Sequence, residues 1–285
     1  MFVFLNGRIM DARRAKISVF DHGFLYGDGV YETMRTYRGE LLFLDIHLKR
    51  LRESLRIAKI SWSFSDAEII GMVSKLIRKN NFREARVRLM VTRGASKTRG
   101  AAFRADVSGQ PTVVMTMYTL PFWKPDSIHV GRAVLFPLDR TFPKVKTTSL
   151  FSLVLARQYA IEHDSDDALL VNHEGKITEG AVSNFFIVKK GVIVTPPLSD
   201  GILPGTMREI LVKIFKKSRL KFSEQSLFAK DIFSADEIFM TNAPRGISAV
   251  VSVDGKKIGN GKIGSLTAEI QEKFQEYILG KLSSR

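Results

Sequence analysis

The segment Leu120-Pro-Phe-Trp-Lys-Pro-Asp126 constrains this chain more than any other. Each proline lacks a backbone N–H and drives its predecessor out of the helical region, so no helix or central strand runs through it. The segment reads as a connection between domains, with residues 1–120 before it, 121–126 as the linker and 127–285 after it. A length of 285 residues is enough to bury a sizeable core on this plan.

Before the linker, MFVFLNGRIM reads as short strands around Asn6-Gly7, a strand entering a turn rather than a leader peptide. Residues 22–29 read as a Gly-rich loop, and residues 30–37 then alternate. Val30, Glu32, Met34 and Thr36 share one face of that strand; Tyr31, Thr33, Arg35 and Tyr37 share the other. The second face is a poor core, so it reads either as a pocket wall or as a solvated edge. Arg38-Gly39-Glu40 closes a hairpin onto residues 41–44. Leu48, Leu51, Leu55 and Ile57 predict a helix over 46–58, with His47 and Arg50 near its start. The capping box Ser65-Asp-Ala-Glu68 opens a second helix. Strands are expected at 85–93 and 111–120, joined by a loop (94–109) long enough to cover a site.

After the linker a strand is expected at 128–136, then the polar turn holding Lys144 and Lys146, then an amphipathic helix. Two strands follow, the second carrying Glu179 into Gly-Ala-Val-Ser-Asn, and then a hairpin over 185–195. Leu203-Pro-Gly-Thr206 starts a helix that Thr206 is placed to cap. Its first-turn N–H groups and dipole make an anion site, or simply a well-capped helix. Strands over 237–241 and 247–253 and a final helix over 266–279 complete the chain.

Composition narrows the function classes. With no cysteine there is no thiolate nucleophile and no Cys-based zinc site, and no apolar run approaches the ~18 residues of a membrane span. A cytoplasmic protein is the default expectation. The net charge of +15 admits a basic protein that binds nucleic acid or other anions. The basic residues are scattered, however, and none is interleaved with aromatics in a stacking pattern, so small anionic molecules are the better partners. The five histidines form no i, i+4 pair, which speaks against a metal, and no G-x-S-x-G, GxGxxG or Walker loop is present. A lysine nucleophile remains. A lysine that bonds an aldehyde cofactor needs a carboxylate for the ring nitrogen and cations or helix N-termini for the phosphate. Lys146, Glu179, Arg50 and the Gly205-Thr206-Met207 turn are the right types, although spacing alone does not select them from 44 basic and 29 acidic residues.

These residues sit in YGDGVYETMRTY, HLKRL, DDALLVN, ITEGAVSNFF, TPPLSDGILPGTMR, DEIFMTNA and VVSVDG, with eleven residues between Lys146 and Gln158. In that order they make the chain resemble, over essentially its whole length, the class IV (fold-type IV) pyridoxal-phosphate enzymes. That family includes branched-chain and D-amino acid aminotransferases and aminodeoxychorismate lyases. The resemblance implies a two-domain α+β / α/β fold, with a small N-terminal α+β domain and a larger, β-barrel-like C-terminal domain with helices. It implies pyridoxal 5'-phosphate as cofactor, Lys146 as its Schiff-base lysine in preference to Lys144, and Glu179 as the ring-nitrogen carboxylate. Arg50, Gly205, Thr206 and Met207 would hold the phosphate, with Ala243 at a further phosphate contact where it offers only its backbone.

The activity implied is ping-pong transfer of an amino group between an α-amino acid and a 2-keto acid. Tyr26, Arg35 and Arg88 match positions of branched-chain enzymes, which are slightly favoured. Tyr31 and Arg99 are candidates for the α-carboxylate of a D-amino acid, and Thr241 to Ala243 resembles the lyases. Members of the family are typically homodimers, the partner completing the active site with a loop that corresponds here to residues 94–103.

Overall fold

The structure, a computed structural model, describes residues 1–95, 109–121 and 127–283. The chain divides into two compact units: Met1–Trp123 with Val145–Leu150, and Lys124–Lys144 with Phe151–Arg285. The expected linker, apart from Pro121, falls outside the described residues, as do Arg99 and most of the 94–103 loop.

The first unit runs β1 (Phe2–Leu5), β2 (Arg8–Asp11), α1 (His22–Tyr26), β3 (Gly29–Tyr37), β4 (Glu40–Leu41), α2 (Leu44–Ala58), α3 (Asp66–Asn80), β5 (Ala85–Thr92) and β6 (Thr112–Thr119). Its sheet has the order β2-β1-β6-β5-β3-β4. Period-two alternation sorts the strands: Ala85, Val87, Leu89 and Val91 of β5 are buried, and Val30 and Met34 of β3 join them under α2 and α3. Leu48, Leu51 and Leu55 supply the face of α2, and Ile69, Val73 and Leu76 that of α3. Truncating Leu51, 1% exposed, to Ala would cost about 2–5 kcal/mol. The capping box is formed as expected: Glu68 N donates to Ser65 Oγ, and Ser65 N donates to the Glu68 carboxylate.

Two local expectations differ from the structure. Residues 22–26, read as loop, form a helical turn, because Asp21 accepts from Gly23 N and Gly27 ends the turn at φ 66°. The strand expected over 41–44 stops at Leu41, and Leu44 already opens α2.

The second unit runs β7 (His129–Pro137), α4 (Phe151–Glu162), β8 (Asp167–Val171), β9 (Lys176–Gly180), β10 (Asn184–Lys189), β11 (Val192–Thr195), α5 (Thr206–Lys217), β12 (Phe222–Glu224), β13 (Leu227–Phe228), α6 (Ala229–Phe233), β14 (Glu237–Asn242), β15 (Gly246–Val253), β16 (Lys256–Lys257) and α7 (Ser265–Ser283). The mixed sheet follows β12-β11-β10-β14-β15-β7-β8-β9-β13, with β16 on β15. It curls as a half-barrel and stays open between β12 and β13. Phe185, Phe186, Ile187 and Val188 of β10 are all buried, the mark of a strand covered on both faces. Phe186 stacks on Phe239 at 4.9 Å and meets Phe215 of α5 edge-on at 5.8 Å.

Helix α4 departs from the amphipathic helix expected. It buries Ala156 and Ala160, which let it lie close to the sheet, while Phe151, Val154, Leu155 and Ile161 are 47–76% exposed. Among the described residues no helix is long and apolar enough to cross a membrane.

Candidate active site

Lys146 belongs by its contacts to the first unit. Tyr31 N donates to Lys146 O at 2.9 Å, Thr148 N donates to Gly29 O at 2.8 Å, and Thr148 Oγ1 donates to Gly27 O at 2.7 Å. These bonds hold the lysine's segment along the start of β3. Its side chain is half-buried with Nζ 4.7 Å from the centre of the Tyr31 ring, whereas Lys144 is exposed. Arg88 crosses the same ring with its guanidinium carbon 4.1 Å from the centre. Arg88 pairs with Thr33 across β5 and β3, so it stands on the face that holds Tyr31. The strand face read as a candidate pocket wall therefore gathers Tyr31, Arg88 and Lys146.

Other expected residues are placed differently. Arg35 shares that face, but it is buried and donates to Glu84 at 3.2 Å and to Pro121 O at 2.9 Å. Tyr26 is 38% exposed and lies edge-on to His22 at 5.2 Å.

Arg50 projects from α2 onto Glu32. Its Nε donates to Glu32 Oε1 and its Nη2 to Oε2, both at 2.7 Å, and His47 Nδ1 lies 2.7 Å from Oε2. Glu32 is completely buried. Burial works to raise its carboxyl, yet the charge and hydrogen bonds of Arg50, with those of His47, hold it down to about 2. For His47 burial dominates and pushes the imidazole down, outweighing Glu32. An ionised carboxylate only accepts, so Nδ1 of a neutral His47 carries the hydrogen.

In the second unit Glu179, 2% exposed, accepts from Arg140 Nη1 at 2.8 Å, Leu203 N at 3.1 Å and Asn184 Nδ2 at 3.3 Å. Asn184 also donates to Leu203 O at 3.0 Å, tying β9, β10 and the approach to α5 together. The turn between β9 and β10 is closed by Ser183 Oγ, which donates to the buried Asp167 at 2.7 Å. At the start of α5 the expected cap is corrected. Gly205 is the N-cap and Thr206 the first helical residue, and no side chain caps the helix. Thr206 and Met207 are buried, and Ala243 lies in the turn between β14 and β15.

Arg140 and Asn184 were not singled out in the sequence. Arg140 reaches Glu179 across 39 residues with no local signal. Glu32 did leave one: it is a carboxylate on a face that also carries Val30, Met34 and Thr36, all buried.

These groups fit pyridoxal phosphate. The first unit offers an amine beside an aromatic ring and a partly buried guanidinium, that of Arg50. The second offers a buried carboxylate held by a cation, and a helix N-terminus whose N-cap, Gly205, supplies no side-chain cap.

The family profile of amino-transferase class IV matches residues 29–253. A Methanocaldococcus jannaschii protein, provisionally named a branched-chain-amino-acid aminotransferase, is 36% identical over 97% of this chain and 96% of its own. The D-alanine aminotransferase of Bacillus licheniformis is 33% identical over 99% of this chain and 98% of its own. The crystal structure of the Escherichia coli branched-chain amino acid aminotransferase superposes with a TM-score of 0.88 at 28% identity, covering 97% of this chain and 94% of that one. The fold, the residues that fit the cofactor and these likenesses agree: the chain belongs to the class IV aminotransferases, and it is a pyridoxal-phosphate-dependent transaminase.

Proposed function

We propose that this transaminase moves the amino group of branched-chain L-amino acids to 2-keto acids, with Lys146 as its catalytic base. The observation that carries the reading is the Tyr31 ring, flanked by Lys146 Nζ at 4.7 Å and the Arg88 guanidinium at 4.1 Å. An arginine beside the catalytic amine is suited to an α-carboxylate. Pyridoxal phosphate supplies a conjugated ring that takes up the electron pair left when the α C–H bond breaks. Lys146 would hold the cofactor by its aldehyde carbon, and its freed Nζ would act as the base that takes the proton from the substrate's α-carbon.

Glu179, held by Arg140, would favour a proton on the ring nitrogen. Arg50 and the amides of Gly205, Thr206 and Met207 would take the phosphate, with Ala243 offering its backbone. Of the five residues expected at the substrate, Arg88 carries the branched-chain reading, and Tyr31, expected for a D-amino acid, places it beside Lys146. Tyr26, Arg35 and Arg99 are subordinate, Arg35 being engaged by Glu84. The likeness to a branched-chain relative at 36% identity supports the substrate class.

D-Alanine is the second reading, favoured by the D-alanine aminotransferase at 33% identity. The half-reaction decides. Holoenzyme mixed with L-leucine should lose its long-wavelength cofactor band faster than with D-alanine or aminodeoxychorismate. Faster conversion by D-alanine, or pyruvate release from aminodeoxychorismate, would overturn the branched-chain assignment.

The reading includes a homodimer, for which the outward face of α4 and the exposed Val19, Phe20 and Phe24 are suited. Light scattering should give twice the 32.1 kDa of one chain; a monomer would refute it. A cytoplasmic location, expected from the absence of cysteine, belongs to the same proposal.

A further inference from the structure

We propose that Glu32 and His47 are positioning residues for Arg50, and that together they set the protein's preference for a phosphorylated ligand over its dephosphorylated counterpart. The inference rests on Arg50 being the phosphate arginine of the proposed function.

Position 32 lies on a strand face whose neighbours, Val30 and Met34, are completely buried in the core of the first unit. A carboxylate there is costly unless it is fully paired. Both of its oxygens are engaged from α2, by His47 and Arg50, which stand three residues apart on one stripe of the helix. The same stripe continues to Ser54, whose Oγ accepts from Lys146 N at 3.4 Å. One helix thus fixes the guanidinium and the backbone of the lysine segment in one frame.

Arginine is long and loses rotamer freedom whenever it grips an anion. The bidentate bond to Glu32 takes that freedom away before a ligand arrives, and it sets the direction of the guanidinium plane. His47 shares Oε2 with Arg50 Nη2 and so ties the carboxylate to α2 at a second point, which keeps the brace from swinging with its partner. A held-down carboxyl at position 32 and a neutral His47 keep this arrangement intact across the physiological range. Glu32 also acts in the opposite sense, because its charge repels a phosphate. The short, doubly bonded geometry favours orientation as the larger effect, and the two effects predict opposite changes on neutralising Glu32.

The test is the ratio of affinities for pyridoxal phosphate and pyridoxal, measured on cofactor-free wild type, Glu32→Gln and Arg50→Gln by the rise of the bound cofactor's absorbance. Wild type should prefer the phosphorylated form, and Arg50→Gln should lose most of that preference, keeping only the share that the backbone amides supply. Glu32→Gln should lower the ratio about tenfold while its affinity for pyridoxal moves less than about twofold. A merely structural role would weaken both ligands together. Parallel loss, an unchanged ratio or a raised ratio in Glu32→Gln overturns the inference.

A wild type without phosphate preference, or an Arg50→Gln variant that keeps it undiminished, overturns the Arg50 assignment itself. Should Glu32→Gln fail to fold, histidine-selective ¹⁵N labelling of wild type supplies the answer. The His47 Nδ1–H signal should shift with pyridoxal phosphate and not with pyridoxal; equal responses overturn the inference.

Discussion

Replacing Gly205 by alanine probes the junction that holds Glu179. Gly205 has φ −67°, so alanine fits its backbone and the effect is one of space alone. A Cβ there would lie 1.8 Å from Asn184 Oδ1, where real contacts stay at 3.0 Å or more, so Asn184 must retreat by about 1.2 Å (3.0 − 1.8). Asn184 is buried and cannot swing into solvent. A retreat of that size breaks the bond to Leu203 O, about 1 kcal/mol, and the bond to the Glu179 carboxylate, about 1.5 kcal/mol at its 3.3 Å length. The total of roughly 2–3 kcal/mol corresponds to a melting-temperature fall of about 5 °C in cofactor-free protein, read by circular dichroism. Gly71→Ala is the control. Its Cβ would meet nothing within 4 Å on α3, and it should gain about 0.5–1 kcal/mol. A Gly205→Ala protein that melts within about 2 °C of wild type would refute the account of this junction.

Other expectations follow from the buried charges. Arg140→Leu removes the Arg140 guanidinium from the buried Glu179 carboxylate, and should cost about 3–5 kcal/mol in urea unfolding. The Glu32 carboxyl, held at about 2 against an ordinary 4.5, stabilises the folded state fully above pH 4.5 and loses that contribution as pH falls toward 2. The loss is at most about 3 kcal/mol, and the urea midpoint of Glu32→Gln should fall less steeply with acid than that of wild type.

Local rules made much of the fold legible. The Ser65 to Glu68 capping box, the alternation of β3 and β5 and the leucine stripe of α2 each depend on neighbours a few residues away. The start of α5 shows their limit. Thr206 is a good capping type, but the helix begins at Thr206 and leaves Gly205 as a cap without a side chain. A glycine there lets Asn184 come close, which depends on a residue 21 positions earlier and leaves no mark in the local pattern. Helix α4 differs from the expectation for a related reason: Ala156 and Ala160 pack on its sheet with Leu153 and Tyr159, while Phe151, Val154, Leu155 and Ile161 are exposed. The lysine and glutamate of the site were legible through motif resemblance, Arg140 was not, and Glu32 was visible as a charge on a core face.

Borohydride trapping tests the central claim most directly. Holoenzyme should be yellow, and reduction should bleach it and fix the cofactor to one lysine. Peptide mass analysis should then place the pyridoxyl group on Lys146. A label on Lys144 or elsewhere, or colourless protein that takes up no pyridoxal phosphate, would contradict the account.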